Sequence, residues 1–591
     1  MRAALRRLAE PVTGICGTCN KPKDATNGML CYKEFTPCQL QSAAKHGCRP
    51  CDFRHRIVQC LRLDPQKLVN FHWSEISVDD QTFQIFRIPE SVRSVEHKEM
   101  ETGHLLSDAT SSDKTFTRIR SWLDDCRLNH AACKIDQVFL QESAQLSTYA
   151  CLSHCWGKSQ TPTRTLQATV KEYTTKGVPW ETLSKTFQDA VDICRRLEID
   201  YLWIDSLCII QDNDEDWNEE AVKMGDIYAH AFLTIAATKS EDSSGGCYQD
   251  RDPAYANCFT IIEGSVYLRA QMPGLGYGYR RDACNGPLLD RAWVLQEMLL
   301  SACVIHFTNN EVVWQCSECQ WSESGGNDVE YNPVPGRALM TSDRYRVDEL
   351  WHELVTGYSG LQLSFEKDRL PALAAISQRA AQRRTTDDRF LAGLWMDSLL
   401  VDLLWAATYK GRLANRQTGC AVPSWSWVSV QSPVWWPGVH YGLLPCARVV
   451  TADVGAIGSP YLGQYWRAEL VIEGPVIRTT LGNVPEKGSY GALTGRCWYP
   501  DFKFKVDGSF YGAADSPVIL LVVAIEYGSH RISALVLRLK DGARTYERIG
   551  LLWMSFEARW WHVGARLSRS LRLEQVESYL SKLPREEVII T

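Results

Sequence analysis

Between Tyr149 and Ala236 the apolar positions switch repeatedly between short continuous runs and helical spacing. Tyr149-Ala150-Cys151-Leu152-Ser153 is a short apolar run, the pattern of a buried strand. Leu183, Phe187, Ala190, Val191, Cys194 and Leu197 then fall on one helical face, with Thr182 or Ser184 placed to cap that helix. Tyr201-Leu202-Trp203-Ile204 reads as a second strand. Trp217, Ala221, Met224, Ile227, Tyr228 and Ala231 mark a second amphipathic helix, and Phe232-Leu233-Thr234-Ile235-Ala236 a third strand. Strand, helix, strand, helix, strand predicts parallel strands joined by right-handed crossovers. Open parallel sheets bind ligands outside the carboxyl ends of their strands. The segments to weigh are therefore Ser153-His154-Cys155-Trp156-Gly157 and Asp205-Ser206-Leu207-Cys208.

Elsewhere the pattern is looser. The start is rich in cysteine, with Phe35 to Arg54 read as a helical segment, and Asp108 to Lys114 reads as a polar loop. Phe390 to Trp405 reads as an apolar-rich helix, and Leu470-Val471-Ile472 and Val518 to Ile525 as strands. The expected organisation is a Cys-rich N-terminal region over 1–145, an α/β domain over 146–316 and an α+β C-terminal extension over 317–591. No internal repeat stands out, which disfavours solenoids and propellers.

Composition narrows the function classes. The chain has 591 residues, room for about three to four domains. Its net charge is −6 with no long run of one sign, which argues against nucleic acid as a partner. The longest apolar run, Pro517 to Ile525, is far short of the about 20 residues of a membrane span. The basic start, Met1 to Leu8, lacks a following apolar stretch, so no secretory signal is read. Without one, 22 cysteines point to reduced thiols or metal sites and to a cytoplasmic protein.

Several segments resemble the fungal heterokaryon incompatibility (HET) family. Tyr149 to Gly157 looks like its opening Tyr-x-Ala-Leu-Ser-Tyr-x-Trp-Gly motif, with Cys151 in place of the usual alanine and His154 in place of the usual aromatic residue. Tyr201-Leu202-Trp203-Ile204-Asp205-Ser206-Leu207-Cys208-Ile209-Ile210-Gln211 is similar to the second hallmark. Arg291-Ala292-Trp293-Val294-Leu295-Gln296-Glu297 is similar to the third. The resemblance implies a TIR-like parallel-sheet domain that serves non-self recognition and programmed cell death, a fungal innate immunity. It also implies homo-oligomerisation on activation, a protein partner from an incompatible allele, and NAD as the substrate of a glycohydrolase.

The carry-over rests on Trp217-Asn218-Glu219-Glu220, which is similar to the Trp-x-x-Glu spacing around the helix-borne glutamate of NAD-cleaving TIR domains. Breaking the nicotinamide–ribose bond builds oxocarbenium character, which the Glu220 carboxylate would stabilise. Otherwise Glu219 and Glu220 are first-turn acids that complement the helix dipole. Asp205 either binds ligand hydroxyls or caps its turn. Ser153, Trp156 and Gly157 suit substrate contact, through a hydroxyl, a stacking face and close backbone approach. They equally suit a packed turn. Trp217 joins the substrate set through the same motif, and Arg291 as a phosphate ligand, unless it anchors the helix through an internal ion pair. Gly157-Lys158-Ser159 is no phosphate loop, because Leu152 stands where the required glycine would be. Two further readings stay open. One is a non-enzymatic, self-assembling module that recruits a death effector. The other is a hydrolase with Cys208 as nucleophile and His154 as base.

Cys16-x-x-Cys19 and Cys48-x-x-Cys51 are paired-thiol knuckles fit for one tetrahedral structural zinc, with Cys31, Cys38 and Cys60 as alternative ligands. Cys126, His130 and Cys133 share one helical face, as three ligands or as packing.

Overall fold

The computed structural model describes residues 15–23, 33–72, 75–88, 101–130, 148–157, 163–262, 265–275, 286–325, 328, 339, 347–408, 422–436, 442–481, 489–490, 493–500, 516–526, 531–540, 544–556 and 569–591. Met1 to Leu8, Cys31, Cys133, Lys158 and Ser159 lie outside them. The architecture is mixed α/β, with sheets of mixed orientation.

The parallel alternation read between Tyr149 and Ala236 is present. Strand β1 (Tyr149–Ser153), helix α1 (Lys185–Arg196), strand β2 (Tyr201–Trp203), helix α2 (Asp214–His230) and strand β3 (Leu233–Ala236) follow in order. Helix α3 (Ala292–Leu300) then leads into β4 (Cys303–Phe307), β5 (Val312–Cys316) and β6 (Gln320–Ser322). The sheet order is β6-β5-β4-β3-β1-β2. Strands β4, β3, β1 and β2 run parallel, and β5 and β6 continue antiparallel.

Both faces are covered, which is why β1 and β3 read as continuous apolar runs. Ala150, Leu152, Leu233 and Ile235 pack on α1 and on the helix Asp113–Asn129. Cys151 points the other way, towards Met224, Ile227 and Tyr228 of α2, and Ala236 packs on Val294 and Met298 of α3. Burying one such large apolar side chain stabilises the fold by about 1.5–3 kcal/mol. The chain leaves β1 towards β2 and returns past it to β3, so its direction of winding reverses beside β1. Such a reversal opens a crevice at the strands' carboxyl ends.

Two local expectations change. Helix α2 starts at Asp214, where the Asn213 side chain accepts from the backbone N–H groups of Glu215 and Asp216. Glu219 and Glu220 therefore sit in its second turn, not its first, beyond the strongest reach of the helix dipole. Arg291 is the N-cap residue of α3 rather than part of it.

The N-terminal part holds an antiparallel sheet that includes Val69–His72, Glu75–Val78 and Gln81–Arg87. The hairpin Phe259–Ile262/Val266–Ala270 joins it through Gln81–Arg87, although it lies within the 146–316 span. The segment read as one helix from Phe35 to Arg54 is two, Pro37–Lys45 and Arg49–Cys60. Gly47, at φ +81°, breaks them.

The C-terminal part carries a nine-stranded, largely antiparallel sheet, including the Pro517–Glu526 strand. Phe390 to Trp405 is not a helix: Phe390–Leu391 and Leu394–Trp395 form a tight hairpin, followed by a helical turn at Leu399–Asp402. Gly393 turns it at φ +96°, and its carbonyl accepts from the indole N–H groups of Trp351 and Trp427. This part packs directly on the parallel-sheet unit. Ala292, Leu295, Leu299 and Leu300 of α3 enter its core, and the Gln296 side chain accepts from the Ala375 backbone N–H at 3.2 Å. No described helix is long and apolar enough to cross a membrane.

Candidate functional site

The carboxyl ends of β1 and β2 are tied together by one carboxylate. Asp205 opens the one-turn helix Asp205–Cys208. One of its oxygens accepts from the Ser206 backbone N–H at 2.7 Å, and the other from the Trp156 indole N–H at 2.9 Å. His154 Nδ1 lies 3.8 Å from the first oxygen. Burial drives the His154 pKa down against the pull of Asp205, and the Arg291 charge lowers it further, which disfavours the charged ring. Among the described residues Arg291 makes no ion pair; its guanidinium donates to the His154 carbonyl at 2.9 Å.

Below this loop is a buried polar group. Ser153 Oγ, both His154 ring nitrogens and Glu297 Oε2 are buried, and none completes a hydrogen bond among the described residues. Burial pushes Glu297 up to about 7. The nearby Ser153 hydroxyl opposes this, the Asp205 charge adds to it, and Arg291 and the Tyr228 hydroxyl oppose it in turn. A carboxyl group poised there can give or take a proton at neutral pH. The sequence marks Ser153 as a contact residue and His154 as a base, and it marks Glu297 only as the closing residue of Arg-x-Trp-x-x-Gln-Glu.

Glu220 reaches this edge from α2. Its side chain is 22% exposed, against 74% for Glu219, so Glu220 is the one turned inward. Its carboxylate accepts from Lys223 Nζ at 2.8 Å. Cys208 is solvent-accessible at the end of the one-turn helix after β2. Burial raises its thiol to about 11, and the charges of Asp205 and Glu220 add to the rise. The three candidates Asp205, Cys208 and Glu220 thus share one neighbourhood. Among the described contacts, His154 pairs with Asp205 rather than with Cys208.

Gly157 has φ +85°, and a Cβ there would sit 2.3 Å from the Cβ of Asp242, so the β1 loop presses against the segment after β3. Trp217 packs against the cluster of Cys151, Trp203 and Met224. These residues run from the first strand to Glu297, and residues 149–297 match the family model "Heterokaryon incompatibility protein (HET)". The chain carries a HET domain. No curated protein and no solved structure matches the chain. Every site residue named above from β1 to Glu297 lies inside the matched HET span.

The four N-terminal knuckle cysteines also converge. The sulfurs of Cys16, Cys19, Cys48 and Cys51 lie within 4.8 Å of one another, all buried. Cys16–Cys51 is 3.9 Å and Cys19–Cys48 is 3.7 Å. A tetrahedral ion with bonds of about 2.3 Å sets its sulfurs about 3.8 Å apart. Cys48 caps the Arg49–Cys60 helix and Cys51 lies in its first turn, while the Ile15–Pro22 bridge folds Cys16 and Cys19 into a tight turn. Burial raises Cys16, but the Cys19 and Thr18 backbone and the Cys48 and Cys19 thiols outweigh it and bring it down to about 6. Burial pushes Cys48 up to about 11 and Cys51 well up. Four thiols this close ionise together only beside a cation, so the donor set fits a metal ion.

Proposed function

We propose that this is a fungal non-self-recognition protein whose TIR-like HET domain triggers regulated cell death by hydrolysing NAD. The observation that carries the reading is the orientation of α2: Glu220 is largely covered and near enough to Cys208 for its charge to act on that thiol, while Glu219 stays in solvent. In this reading the NAD ribose lies against Glu220, whose carboxylate stabilises the positive charge that develops as the nicotinamide–ribose bond lengthens. Nicotinamide leaves neutral and needs no acid. Water adds to the anomeric carbon and loses a proton, for which Glu297, at about 7, is matched.

The remaining residues position. Asp205 spends its oxygens on Ser206 and Trp156 and so holds the loop. Trp156 offers a ring face, Gly157 close backbone approach, and Ser153 a hydroxyl. Arg291 brings a positive charge for a phosphate. Trp217 seats the start of α2. The reading takes the protein as cytoplasmic, self-associating on activation, and set off by the product of an incompatible allele. Structural zinc at Cys16, Cys19, Cys48 and Cys51 would hold the N-terminal region together.

The Glu220–Lys223 ion pair favours a second reading, a non-enzymatic module in which α2 is a charged assembly surface. Nicotinamide release from NAD by the concentrated full-length protein separates the two. The enzyme reading expects release, cut about 100-fold or more by Glu220→Gln. No release from folded, self-associated protein, or an unchanged rate in the variant, would favour the module.

A further inference from the structure

A second thiol cluster lies on the opposite side of the sheet's core from α2 and belongs to none of the sites above. The helix Asp113–Asn129 places Cys126 in its last turn, and His130 is its C-cap residue. The other members come from the far end of the domain: Cys316 closes β5 and Cys319 precedes β6, with the Cys316 N–H donating to the Cys319 carbonyl at 2.9 Å. The ligand atoms of Cys126, His130 and Cys316 lie within 4.8 Å of one another. Cys316 Sγ is 3.3 Å from His130 Nδ1 and 3.5 Å from Cys319 Sγ. The three cysteines are buried, and the Trp321 ring lies 5.4 Å from the His130 ring.

We infer that Cys126, His130, Cys316 and Cys319 bind a zinc ion that clamps the helix leading into the HET domain to its last hairpin. The donor chemistry selects the ion: three soft thiolates and one imidazole suit tetrahedral zinc. The spacing agrees for Cys316 and His130, since zinc bonds of about 2.3 Å to sulfur and about 2.0 Å to nitrogen set sulfur and nitrogen about 3.5 Å apart; Cys319 stands outside the close group of three, 3.5 Å from Cys316, and closes on the ion as the fourth ligand. So does the arrangement of the donors. A Cys-x-x-Cys hairpin turn meets a Cys-x-x-x-His helix end, each pair spaced for two ligands on one ion. Cys303, opposite Cys316 in the sheet and 3.5 Å from Cys126, packs beneath the site. The ion would join segments 186 residues apart and so restrain the matched sheet from outside its own span.

The test is metal analysis of full-length protein purified without chelator. The inference expects about two zinc ions per chain, one from the Cys16–Cys51 site, and about one in Cys316→Ser/Cys319→Ser. His130→Cys preserves a four-ligand site, so it should keep the metal content while zinc X-ray absorption loses its nitrogen scatterer. Unchanged zinc in the double-serine variant would overturn the inference, as would a parent spectrum with sulfur scatterers alone. So would finding Cys316 and Cys319 protected from alkylation until a reductant is added, which would make them a disulfide.

Discussion

Trp156 and Asp205 bridge neighbouring strand ends: the indole N–H donates to the carboxylate at 2.9 Å across the mouth of the parallel sheet. The bond joins the loop after β1 to the turn after β2 and leaves the Trp156 ring half-buried. Hydrogen bonds to a charged group contribute about 1.5–3 kcal/mol each. Asp205→Ala, which also strips the Ser206 cap, is expected to cost about 2–4 kcal/mol in urea unfolding. Trp156→Phe, which keeps a ring and loses only the donor, should cost about half of that or less. Equal losses in the two variants would mean that Asp205 does no more than hold Trp156.

Glu297 makes stability depend on pH in a sense opposite to most carboxylates. Its folded pKa is raised from 4.5 to about 7. Between those values the folded state keeps the proton and the unfolded state has lost it. Stability from this group is therefore full below about 4.5, falls as pH rises through the interval, and is level above about 7. The total is on the order of 3 kcal/mol. Glu297→Gln removes the slope, so the difference in melting temperature between parent and variant should shift in favour of the variant from pH 5 to pH 8. A constant difference across that range would show that Glu297 ionises normally.

The parts of this site that could be read from the sequence are those set by local pattern. β1, α1, β2, α2 and β3 each carry a run or a face whose period identifies it, and the loops after β1 and β2 follow from the parallel order. Glu219 and Glu220 are chemically alike and adjacent, but Glu220 stands three residues after Trp217 and four before Met224, on the apolar face of α2, and Glu219 stands off it. Glu297 is raised by burial between α2, α3 and β1, a property of packing that no spacing carries. Phe390 to Trp405 is as apolar as a buried helix, and its hairpin depends on one glycine held by two distant indoles. Cys126 and His130 show helical spacing, but their partner Cys316 is brought by the sheet.

Gly157 is where the β1 loop has no steric slack. At φ +85°, with Asp242 Cβ 2.3 Å from the position of an added Cβ, alanine is both strained and clashing. Left-handed backbone costs a non-glycine residue about 1–2 kcal/mol, before any clash. Gly157→Ala should lower the melting temperature, and adding Asp242→Gly should recover only the clash. Full recovery in the double variant would show that backbone conformation contributes nothing there.

Cys208 separates the hydrolase reading from the others by its reactivity. An activated thiol has a lowered pKa, whereas burial, Asp205 and Glu220 push this one to about 11. At pH 8 only about one thiol in a thousand is then ionised. Alkylation of Cys208 in the folded protein should be roughly 10- to 20-fold slower than that of an ordinary exposed cysteine, after allowing for the greater reactivity of the rarer thiolate. Glu220→Gln removes one of the charges that raise it and should speed the reaction, which ties the thiol to the α2 carboxylate by a readout independent of NAD. Rapid labelling of Cys208 at neutral pH, unchanged by Glu220→Gln, would separate the two residues and return the cysteine to candidacy as a nucleophile.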